Sequence, residues 1–178
     1  MLPFVFCALL ARPAMVEIVA PRPSYNRGAM AGYSGTPLAQ KLGLKSGARL
    51  GLVKPPPDFG ATLGELPAGV APRTVAAGKS QFDVIVCFAP TMAEVARRLP
   101  ALKQRLDPAG GLWMAWPKKR KKPSSGPATD VSENAVRAIG LAAGLVDNKV
   151  CAIDDVWSGL RFVFRLVDRP RAARAAKR

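Results

Sequence analysis

The chain has 178 residues, 49% of them hydrophobic, so it is long and apolar enough to bury a core as one folded domain. Its formal net charge is +15, from 27 Lys and Arg against 12 Asp and Glu, and it contains no histidine. This absence excludes a His-assisted serine or cysteine nucleophile and a His-ligated metal site. The cysteines Cys7, Cys87 and Cys151 form no CxxC pair, which argues against zinc and favours a reducing cytoplasm.

The first 29 residues differ in character from the rest. Residues 2–10 are apolar but too few to span a bilayer, and Arg12 and Pro13 follow them directly. We expect residues 1–29 to be a disordered or mis-started extension, because Met30 directly precedes the first organised segment. A signal peptide is the alternative, although the segment lacks a basic start.

The next segment predicts two helices and two strands. Thr36 followed by Pro37 is a typical N-cap and first-residue pair, and Gly43 is suited to end that helix. The prolines at 55–57 end a strand, because proline cannot donate to a strand ladder. The predicted elements are a helix over 36–42, a strand over 48–53, a short helix with a loop over 58–71, and a weak strand over 73–76.

A second strand and helix follow with stronger patterns. The segment Phe82–Phe88 is almost entirely apolar, which predicts a strand buried on both faces of a parallel sheet. Thr91 and Glu94 form a capping box for the following helix. Pro100 should kink or split this helix, because proline removes a backbone hydrogen bond.

Two glycines and two acidic residues mark the next boundaries. Gly110 and Gly111 predict a turn into a strand that ends at Trp116. Asp130 and Glu133 form a second capping pattern, which predicts another helix after a basic loop.

The last predicted elements form a hairpin. Residues 149–154 and 160–166 predict two antiparallel strands, joined by a turn that contains residues 157–159, Trp-Ser-Gly. The alternation of strands and helices before this hairpin predicts an α/β three-layer sandwich. Its sheet is mostly parallel and ends in a C-terminal antiparallel hairpin.

This order of elements resembles the class I methyltransferase (Rossmann-like) fold, in which a terminal hairpin inserts a reversed strand into a parallel sheet. Phe82-Asp-Val-Ile-Val86 resembles the fourth strand of that fold, and Leu106-Asp-Pro-Ala-Gly-Gly-Leu-Trp-Met114 the approach to its fifth. The match covers residues 44–167.

A more specific resemblance is to a small bacterial domain-of-unknown-function family, number 3052. It covers residues 30–167 and supports a single α/β domain over that range. The resemblance implies no activity. Three segments carry it: Gly32-Tyr-Ser-Gly-Thr-Pro-Leu38, Trp116-Pro-Lys-Lys119 with Ala128-Thr-Asp130, and Val150-Cys-Ala-Ile-Asp-Asp-Val-Trp-Ser-Gly-Leu160.

Two features that the methyltransferase resemblance implies are missing. The first strand should open into a glycine-rich turn that lets S-adenosylmethionine approach the backbone, but it opens into Lys54-Pro-Pro-Pro57. The second strand should end in an acidic residue for the ribose, but no carboxylate follows Ala76 until Asp83. We therefore expect no cofactor and a non-catalytic ligand- or partner-binding domain. The alternative is a divergent S-adenosylmethionine-dependent methyltransferase.

The predicted strand ends supply a candidate ligand site. Lys54, Trp116 and Lys118 lie at or just beyond the carboxyl ends of predicted parallel strands, where open α/β sheets bind ligands. Trp157 and Ser158 would add a rigid turn with an aromatic ring. Such a surface suits an anionic ligand or a protein partner.

Basic residues concentrate in one loop and in the tail, residues 168–178. The loop predicts weak, non-specific nucleic-acid binding through phosphate contacts, or else a solvated loop with no partner. Trp113 and Trp116 are three residues apart on one strand, so they should face opposite sides and only one could stack on a base. The loop cations are Lys118, Lys119, Arg120, Lys121 and Lys122.

Overall fold

The computed structural model describes residues 35–75, 80–119 and 127–169. The predicted extension over residues 1–29 lies outside the described residues, as do most of the basic loop and most of the tail. Within the described ranges, no helix combines the length and the apolar composition needed to cross a bilayer.

The described chain forms one six-stranded sheet with helices on both faces. The helices are α1 Leu38–Leu42, α2 Phe59–Leu63, α3 Met92–Lys103 and α4 Glu133–Ala142. The strands are β1 Leu50–Val53, β2 Pro72–Thr74, β3 Phe82–Phe88, β4 Leu106–Pro117, β5 Val146–Ala152 and β6 Trp157–Val163. A short 3₁₀ turn, Leu166–Asp168, follows the last strand.

The strand order is β2-β1-β3-β4-β6-β5. Strands β1 to β4 are parallel, whereas β6 inserts antiparallel between β4 and β5. This confirms the predicted three-layer α/β sandwich with a methyltransferase-like C-terminal hairpin. The edge strand β2 is short and exposed and begins at Pro72, which limits pairing by another chain at that edge.

Alternating side chains of the central strands divide the core into two layers. Ile85 and Met114 point to the face covered by α3 and α4. Val86 and Trp113 point to the face covered by α1 and α2. Trp116 lies in the α3/α4 layer, so the prediction that Trp113 and Trp116 face opposite sides is confirmed.

The prediction of a turn at Gly110 and Gly111 is wrong. Both residues lie inside the twelve-residue strand β4. A Cβ on Gly110 would lie 2.6 Å from the carbonyl oxygen of Asp83, and one on Gly111 would lie 2.6 Å from Nη2 of Arg161. Gly110 therefore lets the backbone of β3 approach closely, and Gly111 makes room for the Arg161 side chain.

The predicted hairpin turn is also displaced. Residues 157–159 belong to β6, and the turn lies at residues 153–156. The Asp154 carboxylate accepts hydrogen bonds from the backbone N–H of Val156 and of Trp157, both at 2.7 Å, so an aspartate organises this turn.

Two predicted caps and one predicted break differ in the structure. Helix α1 begins after Pro37 and not at Thr36, and it has no side-chain cap. Helix α4 is capped by Ser132, which accepts from the Ala135 N–H, and not by Asp130. Helix α3 is not split at Pro100 but continues to Lys103, so it tolerates the loss of the one hydrogen bond that an N–H at residue 100 would donate.

Candidate functional site

Lys54 occupies the carboxyl end of β1 in a left-handed backbone conformation, with φ of 48°. Its ammonium group donates to Glu94 Oε1 at 2.8 Å, and Arg98 donates to the same oxygen at 3.2 Å. Glu94 lies in the first turn of α3, so the ion pair joins the end of β1 to the start of that helix. The hydrogen bond from Lys54 lowers the pKa of Glu94, against the opposing effect of burial, so this carboxylate is charged at neutral pH.

The amino terminus of α3 is occupied by residues of the protein itself. Thr91 Oγ1 accepts from the Glu94 N–H at 3.3 Å. Asp130, from the segment before α4, accepts from the Met92 N–H at 2.8 Å. The positive end of the α3 dipole therefore meets an internal carboxylate at a position where α/β proteins often hold a phosphate group.

Four of the predicted ligand residues come together where β4 ends and β6 begins. Trp116 pairs with Ser158, and Pro117 pairs with Trp157. Trp116 is 6% exposed and Trp157 is 8% exposed, so neither ring forms an open stacking surface. The Trp157 ring contacts Phe88 edge to face at 5.0 Å and belongs to the core.

Lys118 and Lys54 are held by different partners. Lys118 donates from Nζ to the Asp154 carbonyl oxygen at 2.6 Å and from its backbone N–H to the Val156 carbonyl oxygen at 2.7 Å. Lys54 is separated from this cluster by β3, because the ends of β1 and β4 are two strands apart. The structure therefore brings together Trp116, Lys118, Trp157 and Ser158 and leaves Lys54 with α3. A ligand role for all five residues stays a prediction.

The basic loop is described only at its start. Lys118 is half-buried and Lys119 is exposed, while Arg120, Lys121 and Lys122 lie outside the described residues. Nucleic-acid contact through this loop stays a prediction.

Neither described cysteine is an activated nucleophile. Burial raises the pKa of the Cys87 thiol to about 12, because β3 places it between two covered faces. Burial also raises the pKa of half-buried Cys151. Both residues are neutral thiols at physiological pH and react slowly in that form. Cys7 lies outside the described residues.

A polar cluster that was not predicted from the sequence lies at the opposite end of the sheet, where the parallel strands begin. Arg49 donates to Asp83 from Nε at 2.9 Å and from Nη2 at 3.0 Å, and Nη2 also donates to Asp107 at 3.0 Å. These contacts join the beginnings of β1, β3 and β4. The one sequence feature that pointed to them was a single aspartate, Asp83, inside an otherwise apolar strand.

Three cavities lie at this end of the sheet, close to the residues where the parallel strands begin. The largest, about 710 Å³, lies between the ends of α3 and α4 and is lined largely by apolar groups, among them Pro100, Ile139 and Phe164. A cavity of about 410 Å³ is lined by Arg49, Arg73 and Arg105 and by neighbouring polar residues. A third, of about 490 Å³, lies below the turn that precedes β1.

Comparison with known proteins returns solved methyltransferase structures. The chain is 16% identical to a SAM-dependent methyltransferase from Aquifex aeolicus, with a TM-score of 0.47 over 69% of this chain and 85% of that one. It is 10% identical to 1,6-didemethyltoxoflavin-N1-methyltransferase from Burkholderia thailandensis, with a TM-score of 0.43 over 70% and 73% of the two chains. It is 14% identical to magnesium protoporphyrin IX methyltransferase from Synechocystis PCC 6803, with a TM-score of 0.40 over 61% of this chain and 56% of that one.

No protein-family model and no curated protein matches the chain. The strand order and the inserted antiparallel strand make the fold methyltransferase-like. The activity of the solved relatives does not follow from that, because one fold supports many functions.

Proposed function

We propose that this chain is a non-catalytic, methyltransferase-like domain that acts by binding a ligand or partner and does not use S-adenosylmethionine. The observation that carries the proposal is the contact between Lys54 and Glu94. It occupies the place where the resemblance implies a glycine-rich cofactor turn.

The residues after β1 do not fit the cofactor. A glycine-rich turn admits a ligand because it has no side chains and offers backbone N–H groups. Here Pro55, Pro56 and Pro57 have no N–H to donate, and the Lys54 side chain extends across to α3.

The end of β2 does not fit the ribose either. The strand ends at Thr74, and the Val75 N–H donates to the Leu52 carbonyl oxygen at 3.0 Å. The sequence from residue 76 to residue 81 is Ala-Ala-Gly-Lys-Ser-Gln and contains no carboxylate. This segment therefore supplies no acidic acceptor for a ribose hydroxyl.

Binding remains the activity that the chain supports, since the fold contains a sheet with cavities and the chain carries a net charge of +15. Membership of the small family number 3052 and a cytoplasmic location belong to the same proposal. The family rests on the three segments quoted above, and the location rests on the unpaired cysteines. The competing proposal is a divergent methyltransferase that binds S-adenosylmethionine through a different set of contacts.

Isothermal titration of the full chain with S-adenosylmethionine and S-adenosylhomocysteine separates the two proposals. We expect no binding of either compound in the low-micromolar range. The Glu94→Gln variant, which weakens the hold on Lys54, should not gain binding, because the prolines and the missing carboxylate remain. Low-micromolar binding by the native chain would contradict the non-catalytic proposal. Binding by Glu94→Gln alone would show that the ion pair closes an otherwise competent site.

A further inference from the structure

The largest cavity lies at the end of the sheet where the parallel strands begin, between the carboxyl-terminal ends of α3 and α4. Its volume is about 710 Å³, within the range of small-molecule sites. Buried Leu106 and Pro108 of β4 contribute to its lining, together with half-buried Ile139 and Phe164. The cavity opens to solvent at exposed residues near the ends of both helices: Pro100, Gln104 and Ala142.

Lys103 is the one charged residue among the described residues that line this cavity. Its Nζ donates to the Ala143 carbonyl oxygen at 2.6 Å and lies 5.7 Å from the centre of the Phe164 ring. Ala143 and Phe164 line the cavity as well, so the ammonium group is held in a defined position at the cavity wall. An ammonium group has three N–H donors, and the Ala143 carbonyl uses one of them.

The surroundings of Lys103 indicate the charge of a ligand. Helices α3 and α4 end at Lys103 and Ala142, and carbonyl groups at a helix carboxyl terminus carry partial negative charge. Lys103 compensates that charge where it contacts Ala143. A cationic ligand would be repelled by the ammonium group, and a doubly charged phosphate would find a single cation. A carboxylate matches one ammonium group in charge.

We propose that this cavity binds a small aromatic carboxylic acid, whose carboxylate accepts a hydrogen bond from Lys103 Nζ and whose ring packs against Ile139 and Phe164. The inference rests on the binding function proposed above and specifies the chemical class of the ligand. It places the ligand at the end of the sheet opposite Lys54. In such cavities the apolar lining supplies most of the contact area, while a few polar groups fix the orientation of the ligand.

A compact ring fits this cavity better than a protein partner does. Two of the lining residues, Pro100 and Pro108, have rigid apolar rings. A stable protein interface needs a wide apolar surface around such a cavity. The large hydrophobic side chains that are exposed in the described part of the chain do not line it: Leu141, Val150, Leu166 and Val167.

Calorimetric titration of the full chain with 1-naphthoate and with 1-naphthamide, at constant ionic strength, tests the proposal. The two probes have nearly the same shape, but only naphthoate carries a charge. We expect the native chain to bind naphthoate at least about 10-fold more tightly than naphthamide, because a hydrogen bond between charged groups contributes more than one to a neutral group. Naphthoate should also raise the Tm, because a ligand that binds only the folded chain stabilises it.

The first variant is Lys103→Gln, which removes the charge and keeps an amide N–H donor near the Ala143 carbonyl. It should weaken naphthoate binding by about 10-fold and leave naphthamide binding unchanged. Arg97→Gln is the matched control, because Arg97 is an exposed cation elsewhere on α3 and its loss changes the net charge equally. Thermal unfolding without ligand measures whether each variant is folded.

The second variant is Ala142→Glu, which leaves Lys103 in place. Ala142 is exposed at the opening of the cavity, so a glutamate there should not disturb the core. Its carboxylate should compete with naphthoate for Lys103 and weaken binding. The control is Ala138→Glu, an exposed position one turn earlier on α4 that is not among the described lining residues. This control should bind naphthoate as the native chain does.

The proposal is overturned if naphthoate does not bind, or if it binds no more tightly than naphthamide. It is also overturned if either control variant weakens binding as much as its partner, which would indicate attraction to the net positive charge alone. A dimer in sedimentation that Ala142→Glu dissociates, and Ala138→Glu does not, would show that a second copy covers the cavity and would contradict the proposal. Absence of naphthoate binding leaves the non-catalytic function standing. Binding of S-adenosylmethionine contradicts that function and leaves the naphthoate result standing.

Discussion

Lys54 adopts a left-handed conformation that proteins usually assign to glycine. The backbone therefore turns after β1 much as a glycine-rich loop would begin, but the residue carries a long charged side chain. The Lys54 side chain is 60% exposed and the Glu94 side chain 17%, so the ion pair between them offsets only a small part of the conformational cost. The sequence showed that glycine was absent, while only the structure shows that a lysine has taken up a glycine-like conformation.

Two substitutions of Lys54 distinguish the energetic cost of its left-handed conformation from the contribution of its ion pair with Glu94. Lys54→Gly and Lys54→Ala both remove the contact with Glu94, but only glycine adopts a positive φ without cost. We expect Lys54→Ala to be less stable than Lys54→Gly by about 1 kcal/mol. Urea denaturation of the two variants measures the difference. Equal stability of the two variants would mean that the left-handed conformation is not held in solution.

Helix α4 packs against the sheet through a glycine. Gly140 is buried, and a Cβ at this position would lie 2.5 and 2.6 Å from ring carbons Cζ and Cδ1 of Phe162. Phe162 is fully buried in β6, so its ring cannot move aside cheaply. The helical pattern of Val136 and Ile139 predicted the buried face of α4. The closest point of contact could not be predicted from sequence, because it depends on which strand lies beneath the helix.

Gly140→Ala should therefore destabilise the protein even though alanine favours helix. The gain in helix propensity is about 1 kcal/mol, whereas overpacking against a rigid ring exceeds it. Overpacking typically costs about 1–3 kcal/mol, so we expect a net loss of up to about 2 kcal/mol in the free energy of unfolding. The control is Gly60→Ala in helix α2, where a Cβ meets nothing within 4 Å and the same change should stabilise by up to about 1 kcal/mol. A stable Gly140→Ala variant would argue against this packing of α4.

At the scale of the whole molecule, 27 Lys and Arg outnumber 12 Asp and Glu, and much of the excess lies in the basic loop and the tail. The described residues contain six ion pairs, and most of their side chains are partly exposed to solvent. Exposed pairs contribute little to stability, so repulsion from the net charge of +15 should be the larger long-range electrostatic effect.

Salt should therefore stabilise this protein. Raising sodium chloride from low concentration to about 0.1 M shortens the Debye length to about 10 Å and screens the repulsion. An increase of about 1 kcal/mol in stability would raise the Tm by roughly 2–4 °C for a chain of this size. Thermal unfolding in sodium chloride and in choline chloride measures the effect, and equal shifts would identify screening. A fall in Tm with salt would mean that the ion pairs contribute more than the repulsion costs.

The sequence by itself determined that this protein consists of a sheet covered by helices. Both predictions rest on local patterns: the continuous apolar run Phe82–Phe88 indicates a buried strand, and the spacing of apolar residues in α4 indicates a helix with one buried face. The sequence also showed that Lys54 and three prolines replace a glycine-rich turn. Only the tertiary structure decided that Gly110 and Gly111 lie within a strand and that Phe162 of β6 lies beneath Gly140 of α4. The physical reason is the same for all of these: contacts between distant strands leave no periodic pattern in the chain, so they appear only when the sheet has formed.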